Sequence, residues 1–316
     1  MHRISGRWRL GFALALTTAV AWGVLPIALK IALAALDAYT ITWYRFAVAG
    51  VVLAALLAIA RHLPDFSVLG RQGWTLLAIA IGGLIGNYLL YLVALEHASP
   101  TINQTVIQLA PIFLLIGALL IFKERFSRWQ WLGLFILVPG LVLFFNERLP
   151  ELLHYRAGLG LGVALLVISS IVWAAYALAQ KRLMEKLSSQ QILLLLYVGG
   201  IPLLLPWSDP GSIRDVEPMQ VWVLAFCCAN TLIGYGAFAE ALEHWEVSRV
   251  GAVLATAPLF TLGGMWVAAQ WLPAGLLAPE ELNALSVGGA LMVVAGSALC
   301  AFGQNAPRDE VESAAP

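Results

Sequence analysis

The amino-acid sequence predicts an all-α membrane protein, with ten transmembrane helices built as two inverted five-helix repeats. Three observations lead there. The 316 residues are 61% hydrophobic and 11% charged, against about 25% charged in an ordinary soluble domain, and the mean hydropathy is +0.85. So few charges cannot make a soluble surface, so the solvent of most of the chain is lipid. Ten apolar runs follow one another, and short motifs of the first half return in the second at matched spacing.

In order, the runs cover about 10–34, 40–60, 73–95, 101–122, 129–146, 157–179, 190–207, 219–242, 247–271 and 284–303. Each is close to the roughly 20 residues a helix needs to cross the hydrocarbon. The first follows Arg3, Arg7 and Arg9 like a signal peptide, but its run of about 25 residues is too long for an h-region, and it belongs to the repeat. Pro26, Pro111, Pro139, Pro202 and Pro258 lie inside runs. In a membrane, neighbouring helices can satisfy the freed backbone groups, so these prolines predict bends rather than ends. Cys227, Cys228 and Cys300 also sit in apolar runs with no CxxC spacing and read as small packing residues.

Cationic loops stay cytoplasmic. With the amino terminus inside, thirteen Lys and Arg fall on the cytoplasmic side, from Arg3, Arg7 and Arg9 through Arg61, Arg71, Lys123, Arg125, Arg128, Lys181, Arg182, Lys186 and Arg249 to Arg308. Only Arg148, Arg156 and Arg214 fall in loops of the opposite side. Both termini are therefore expected in the cytoplasm, and the tail 303–316 is expected to be a short disordered extension.

The repeat is carried by several matches. Trp22 precedes Lys30 by eight residues and Trp173 precedes Lys181 by eight; Ala94-Leu95-Glu96-His97 returns as Ala241-Leu242-Glu243-His244, with Pro111 and Pro258 each fourteen residues past the histidine. Glu124, Gly133 and Gly140 are spaced as Glu280, Gly289 and Gly296 are, and the stretch around Trp271 to Pro279 reads as an insertion in the second half. Five spans per half is an odd number, so the second copy is inverted. Inverted repeats about an in-plane axis are the plan of secondary transporters, with cargo bound near the midplane by alternating access. The structural alternative is a duplication that merely built a stable bundle.

These residues resemble a known family. Trp22-Gly23 with Lys30, Arg45-Phe46 in span 2, Ala94-Leu95, Pro111, and Lys123-Glu124-Arg125-Phe126 leading to Gly133 and Gly140 are similar to the EamA-type repeat of the drug/metabolite transporter superfamily. The resemblance covers 10–146 as a first repeat and 157–302 as a second. The second has no arginine matching Arg45. The resemblance implies a multi-pass carrier of the cell inner membrane exporting amino acids, related metabolites or toxic compounds. Small multidrug carriers related to that superfamily couple protons through a glutamate of span 1, and here span 1 has no Asp or Glu.

A charge within hydrocarbon costs several kcal/mol and marks a candidate site. Arg45, beside Tyr44, lies about five residues into span 2. Its planar fork suits a substrate carboxylate; alternatively it snorkels outward or ties span ends to Asp37, Glu96 or backbone carbonyls. Lys30 is nearer the edge and carries the same alternatives. Glu240, one turn before Glu243 and on a face with Gly236 and His244, is a possible proton relay or an interfacial acid. Among neutral groups, Gly83, Asn87 and Tyr91 share one face of span 3, while Ala78, Gly82 and Gly86 form a small-residue ridge suited to helix contact. Gln104 and Gln108 share a stripe with Pro111 in span 4. Asn230 and Tyr235, Trp173 and Tyr176 with Ser169 and Ser170, and Trp22 complete the set. Each has helix packing as its alternative role.

Such a ring- and amide-lined cavity with at most one fixed cation fits an amino acid or similar solute with an apolar part. A phosphorylated cargo would require several midplane cations, which are absent. The expected partners are a small-molecule substrate and the lipid bilayer. Nucleic acid is excluded by the lack of a basic cluster, since Lys+Arg and Asp+Glu both number 18. No HExxH, GxSxG or Walker glycine loop occurs, so neither an enzyme, a metal nor a cofactor is expected. The rival cargo is a lipophilic cation or drug, and the rival class is a channel or structural protein. A duplicated ten-span unit can act alone, so a monomer is the default.

Overall fold

The structure, a computed structural model, describes residues 7–122, 127–144, 146–147, 159–245, 247–271 and 283–302. The tail 303–316, the Lys123–Phe126 motif, Glu280 and most of the proposed insertion lie outside the described residues. Helix dominates, and among the described residues there is no strand.

The first half holds α1 (Trp8–Ala32), α2 (Ala38–Ile59), α3 (Gly70–His97), α4 (Pro100–Val106), α5 (Leu109–Phe122) and α6 (Arg128–Phe144). The second holds α7 (Leu159–Leu183), α8 (Ser189–Leu204), α9 (Pro218–His244), α10 (Val247–Leu254), α11 (Ala257–Trp271) and α12 (Ala284–Phe302). Among the described residues six helices are long and apolar enough to cross a membrane, namely α1, α2, α3, α7, α8 with its short extension to Trp207, and α9. Local chemistry sets the starts. Asp37 accepts the amides of Tyr39 and Thr40 to open α2, and Ser188 with Gln191 forms a capping box before α8.

The prolines behave in two ways. Pro26, Pro139 and Pro202 lie inside continuous helices. At the other two the expectation of a mere bend is corrected, because runs 101–122 and 247–271 are each two helices. A proline ring clashes with the carbonyl four residues earlier, which is Ile107 for Pro111 and Leu254 for Pro258. The breaks lie there, with Gln108 N donating to Thr105 O at 3.2 Å and Thr256 N to Val253 O at 3.0 Å in tighter three-residue turns.

Helices pair along their lengths, α1 with α9, α3 with α7, α6 with α12 and α2 with α8. In lipid, association depends on close packing rather than hydrophobic burial, and α6 meets α12 backbone to backbone. A Cβ built on Gly289 would stand 2.6 Å from the Gly140 carbonyl oxygen, and one on Gly296 2.6 Å from that of Gly133. The small-residue ridge of span 3 is also corrected. A Cβ on Gly82 meets nothing within 4 Å, whereas one on Gly83 would stand 3.2 Å from the Val172 carbonyl. A Cβ on Gly86 would stand 3.2 Å from Val172 Cγ1, so the close contact with α7 takes in Gly83 and Gly86 and leaves Gly82 out. Outward-facing apolar side chains such as Val51, Phe135 and Trp222, 68%, 71% and 77% exposed, would be untenable in water and suit lipid.

Candidate functional site

A cavity of about 90 Å³ lies among α1, α2, α3, α4, α7 and α9, capped by the α4–α5 and α10–α11 breaks. Of the residues singled out from sequence, Trp22, Arg45, Asn87, Tyr91, Gln104, Gln108, Trp173 and Tyr235 line it. The break at Ile107–Gln108 turns this stretch of chain inward, so Gln104, Ile107 and Gln108 all reach the same space.

The polar groups are held rigidly. Asn87 Nδ2 donates to Ser169 Oγ at 2.9 Å, and Asn87 Oδ1 accepts from the Tyr235 hydroxyl at 3.4 Å. The Tyr91 hydroxyl donates to Gln104 Oε1 at 3.0 Å, and Gln108 Nε2 to the Gln104 carbonyl at 3.4 Å. Arg45 is 2% exposed. Its Nε donates to Thr231 Oγ1 at 2.8 Å, and its guanidinium lies 4.2 Å from the centroid of the Tyr88 ring. It neither snorkels nor reaches Asp37 or Glu96, because α2 turns this residue toward α9 and the cavity. Among the described residues no carboxylate pairs with it.

The floor is aromatic. Trp22 stands 6.0 Å from Trp173, 4.9 Å from Tyr235 and 5.4 Å from Phe238, centroid to centroid.

Four of the singled-out residues lie elsewhere. The Tyr44 hydroxyl donates to the Pro210 carbonyl at 2.6 Å, tying α2 to the turn after α8. Asn230 Nδ2 donates to the Ala21 carbonyl at 2.7 Å, joining α9 to α1. Tyr176 is fully buried beneath the floor. Glu240 sits at the far end of α9, 3.4 Å from His244 and accepting from Ser189 Oγ at 3.3 Å. With Glu243, which accepts from Ser189 N at 3.0 Å, it places negative charge at the α8 N-terminus. Lys30 donates to the Leu95 and Ala98 carbonyls at the end of α3 rather than into the cavity.

Sequence reasoning missed Tyr88 and the aliphatic walls Leu25, Leu29, Leu92 and Leu254, which carry no signal beyond apolarity. It also missed Gln180, fully buried with neither side-chain polar atom hydrogen-bonded.

The family model described as the EamA-like transporter family matches residues 9–146 and again 160–302. The chain belongs to this EamA-like transporter family. A Haemophilus influenzae protein named "Uncharacterized transporter" is 43% identical to this EamA-like transporter over 93% of this chain and 95% of its own. The Escherichia coli K12 inner membrane transporter YhbE is 40% identical over 93% and 92%. More distantly, a Salmonella typhimurium protein named "Probable amino-acid metabolite efflux pump" is 22% identical over 92% and 94%. A crystal structure at 20% identity superposes with a TM-score of 0.66 over 92% of this chain and 96% of the other, a likeness of fold.

Proposed function

We propose that this EamA-like transporter is a multi-pass inner-membrane carrier of ten spans, in which α4–α5 and α10–α11 each make one span. Residues 10–146 and 157–302 form two inverted units, both termini are cytoplasmic, and the chain works as a monomer. It exports amino acids or related small metabolites by alternating access through the cavity.

The observation that carries this reading is that counterparts in the two halves touch each other. Trp22 meets its match Trp173, and Tyr88 meets Tyr235 at 5.4 Å. Thr18 Oγ1 donates to the Gly234 carbonyl as its match Ser169 Oγ donates to that of Asn87, both at 3.2 Å. Lys30 caps the Leu95 carbonyl as Lys181 caps that of Leu242. A residue touching its own counterpart lies on the axis relating two copies, as in an isologous interface.

At the cavity the matched positions differ. Leu25, Leu29, Arg45 and Tyr91 line the cavity, while their counterparts Tyr176, Gln180, Leu196 and Phe238 are fully buried. One half-site is open and the other packed shut, as one end state of an alternating cycle requires. Gln180, buried without a partner, gains water when that half opens. Amino-acid cargo is supported by the name of the Salmonella relative and by the ring- and amide-lined walls. The lipophilic-cation reading finds no acid among the lining residues.

A counterflow screen in proteoliposomes, with labelled amino acids and lipophilic cations, tests this. Exchange of a carboxylate-bearing solute is expected. Exchange of cations alone, or of nothing, contradicts it.

A further inference from the structure

We propose that the cavity selects a small organic monoanion, one carboxylate on an apolar or aromatic body, and makes no use of an ammonium group. This rests on reading the cavity as the cargo site.

The charge balance of the site carries it. Arg45 is the one formally charged residue in the lining, and it has no counter-ion among the described residues. Thr231 occupies Nε and Tyr88 covers one face of the guanidinium. The two Nη groups remain, and those form the fork that takes a carboxylate through two parallel hydrogen bonds. A cation held in hydrocarbon without an anion is expensive, so an anionic cargo completes the site rather than merely entering it.

The acceptors run the other way. An ammonium group is best held by a carboxylate, and among the described residues no acid lines the cavity. Gln104 Oε1 and Asn87 Oδ1 each already accept one bond, from Tyr91 and Tyr235, which leaves neutral amide oxygens, Gln108 Oε1 among them, as the only side-chain carbonyl acceptors for it. The remaining walls are Trp22, Trp173 and the leucines Leu25, Leu29 and Leu254, which suit an apolar body. An α-ammonium would lose its water here and lie near Arg45, a like charge. The second half supplies no equivalent, since Leu196 stands where Arg45 stands in the first. The anion is therefore held by one half-site and released as that half closes.

Three probes sharing a phenyl ring and a two-carbon spacer separate the possibilities: 3-phenylpropanoate, phenylalanine and 2-phenylethylammonium. Calorimetric titration of the full chain in lipid nanodiscs is expected to show 3-phenylpropanoate binding at least as tightly as phenylalanine, with 2-phenylethylammonium at least about tenfold weaker. Arg45→Lys keeps the charge but loses the fork and should weaken 3-phenylpropanoate about tenfold; Arg45→Gln should weaken it about 100-fold. If neither variant folds, the order of the three probes on the unaltered protein decides. Binding of 2-phenylethylammonium equal to the anion, binding of phenylalanine alone, or binding of none overturns the proposal. Gln108→Ala separates this failure from failure of the cavity reading. If it weakens a preferred ammonium probe, the cavity stands and the anion proposal falls. If 3-phenylpropanoate binds and neither Arg45→Gln nor Gln108→Ala changes it, the cavity reading falls as well.

Discussion

Gly289→Val is expected to lower stability by about 3 kcal/mol, a fall of roughly 4–5 °C in the thermal midpoint for a chain of 316 residues. A Cβ at Gly289 would meet the Phe144 amide nitrogen and stand 2.6 Å from the Gly140 carbonyl oxygen. Both obstacles are backbone and cannot rotate away, so α6 and α12 must separate. Separation forfeits the dispersion contacts that hold helices together where lipid competes for every apolar surface. The neighbouring residue supplies the control. A Cβ on Gly288 meets nothing within 4 Å, so Gly288→Ala should leave the midpoint unchanged or raise it slightly, by up to about 1 kcal/mol of helix propensity. Thermal unfolding of the three proteins in detergent distinguishes them, and equal midpoints would contradict the close α6–α12 contact.

Trp22→Ala is expected to cost about 3–5 kcal/mol, the usual range for emptying a large aromatic site, and also to make the carrier leak. Trp22 is the centre of the aromatic floor, touching Trp173, Tyr235 and Phe238. Gly234 admits it, since a Cβ there would stand 2.7 Å from the Trp22 indole nitrogen. Beneath the floor is Tyr176, in ring contact with Trp173 and Tyr235, and Gln180 follows one turn later on α7; neither is exposed. Removing the indole joins the cavity to buried polar groups that hydrate readily. In proteoliposomes release of preloaded cargo by the unaltered protein should saturate as the internal concentration rises, whereas Trp22→Ala should add a release that grows in proportion to concentration and does not saturate. Release by the variant that saturates as the unaltered protein's does would place the barrier elsewhere.

Much of this architecture was legible from residue order. Repeat spacing pointed to Trp22, Trp173 and the 94–97 and 241–244 motifs, and hydropathy placed the long helices within a few residues of their observed ends. What sequence could not resolve was azimuth. Hydropathy gives depth in the membrane but not which neighbour a helical face meets, so for Arg45 the sequence leaves open snorkelling, tying span ends together and facing a cargo. The same limit put Gly82 on the packing face that Gly83 and Gly86 occupy. For Glu240 the sequence offers both a relay and an interfacial acid, because its position within the run is visible, whereas its bond to Ser189 depends on where α8 begins. Gln180 carries no signal in sequence, next to the charged Lys181 and Arg182 at the end of its run; its burial comes from the folded packing. The breaks at Pro111 and Pro258 were visible as prolines. Their severity was not, because Pro26, Pro139 and Pro202 look the same in sequence yet leave their helices continuous.

The central claim is that cargo crosses through the cavity bounded by α1, α3 and α4, and counterflow with a cavity variant tests it most directly. The triple variant Asn87→Ala, Tyr91→Ala and Gln108→Ala removes three of its polar groups. Reconstituted beside the unaltered protein, with folding checked by the thermal midpoint, it is expected to lose cargo exchange to the level of empty liposomes. Exchange at the unaltered rate by a folded triple variant would contradict the account.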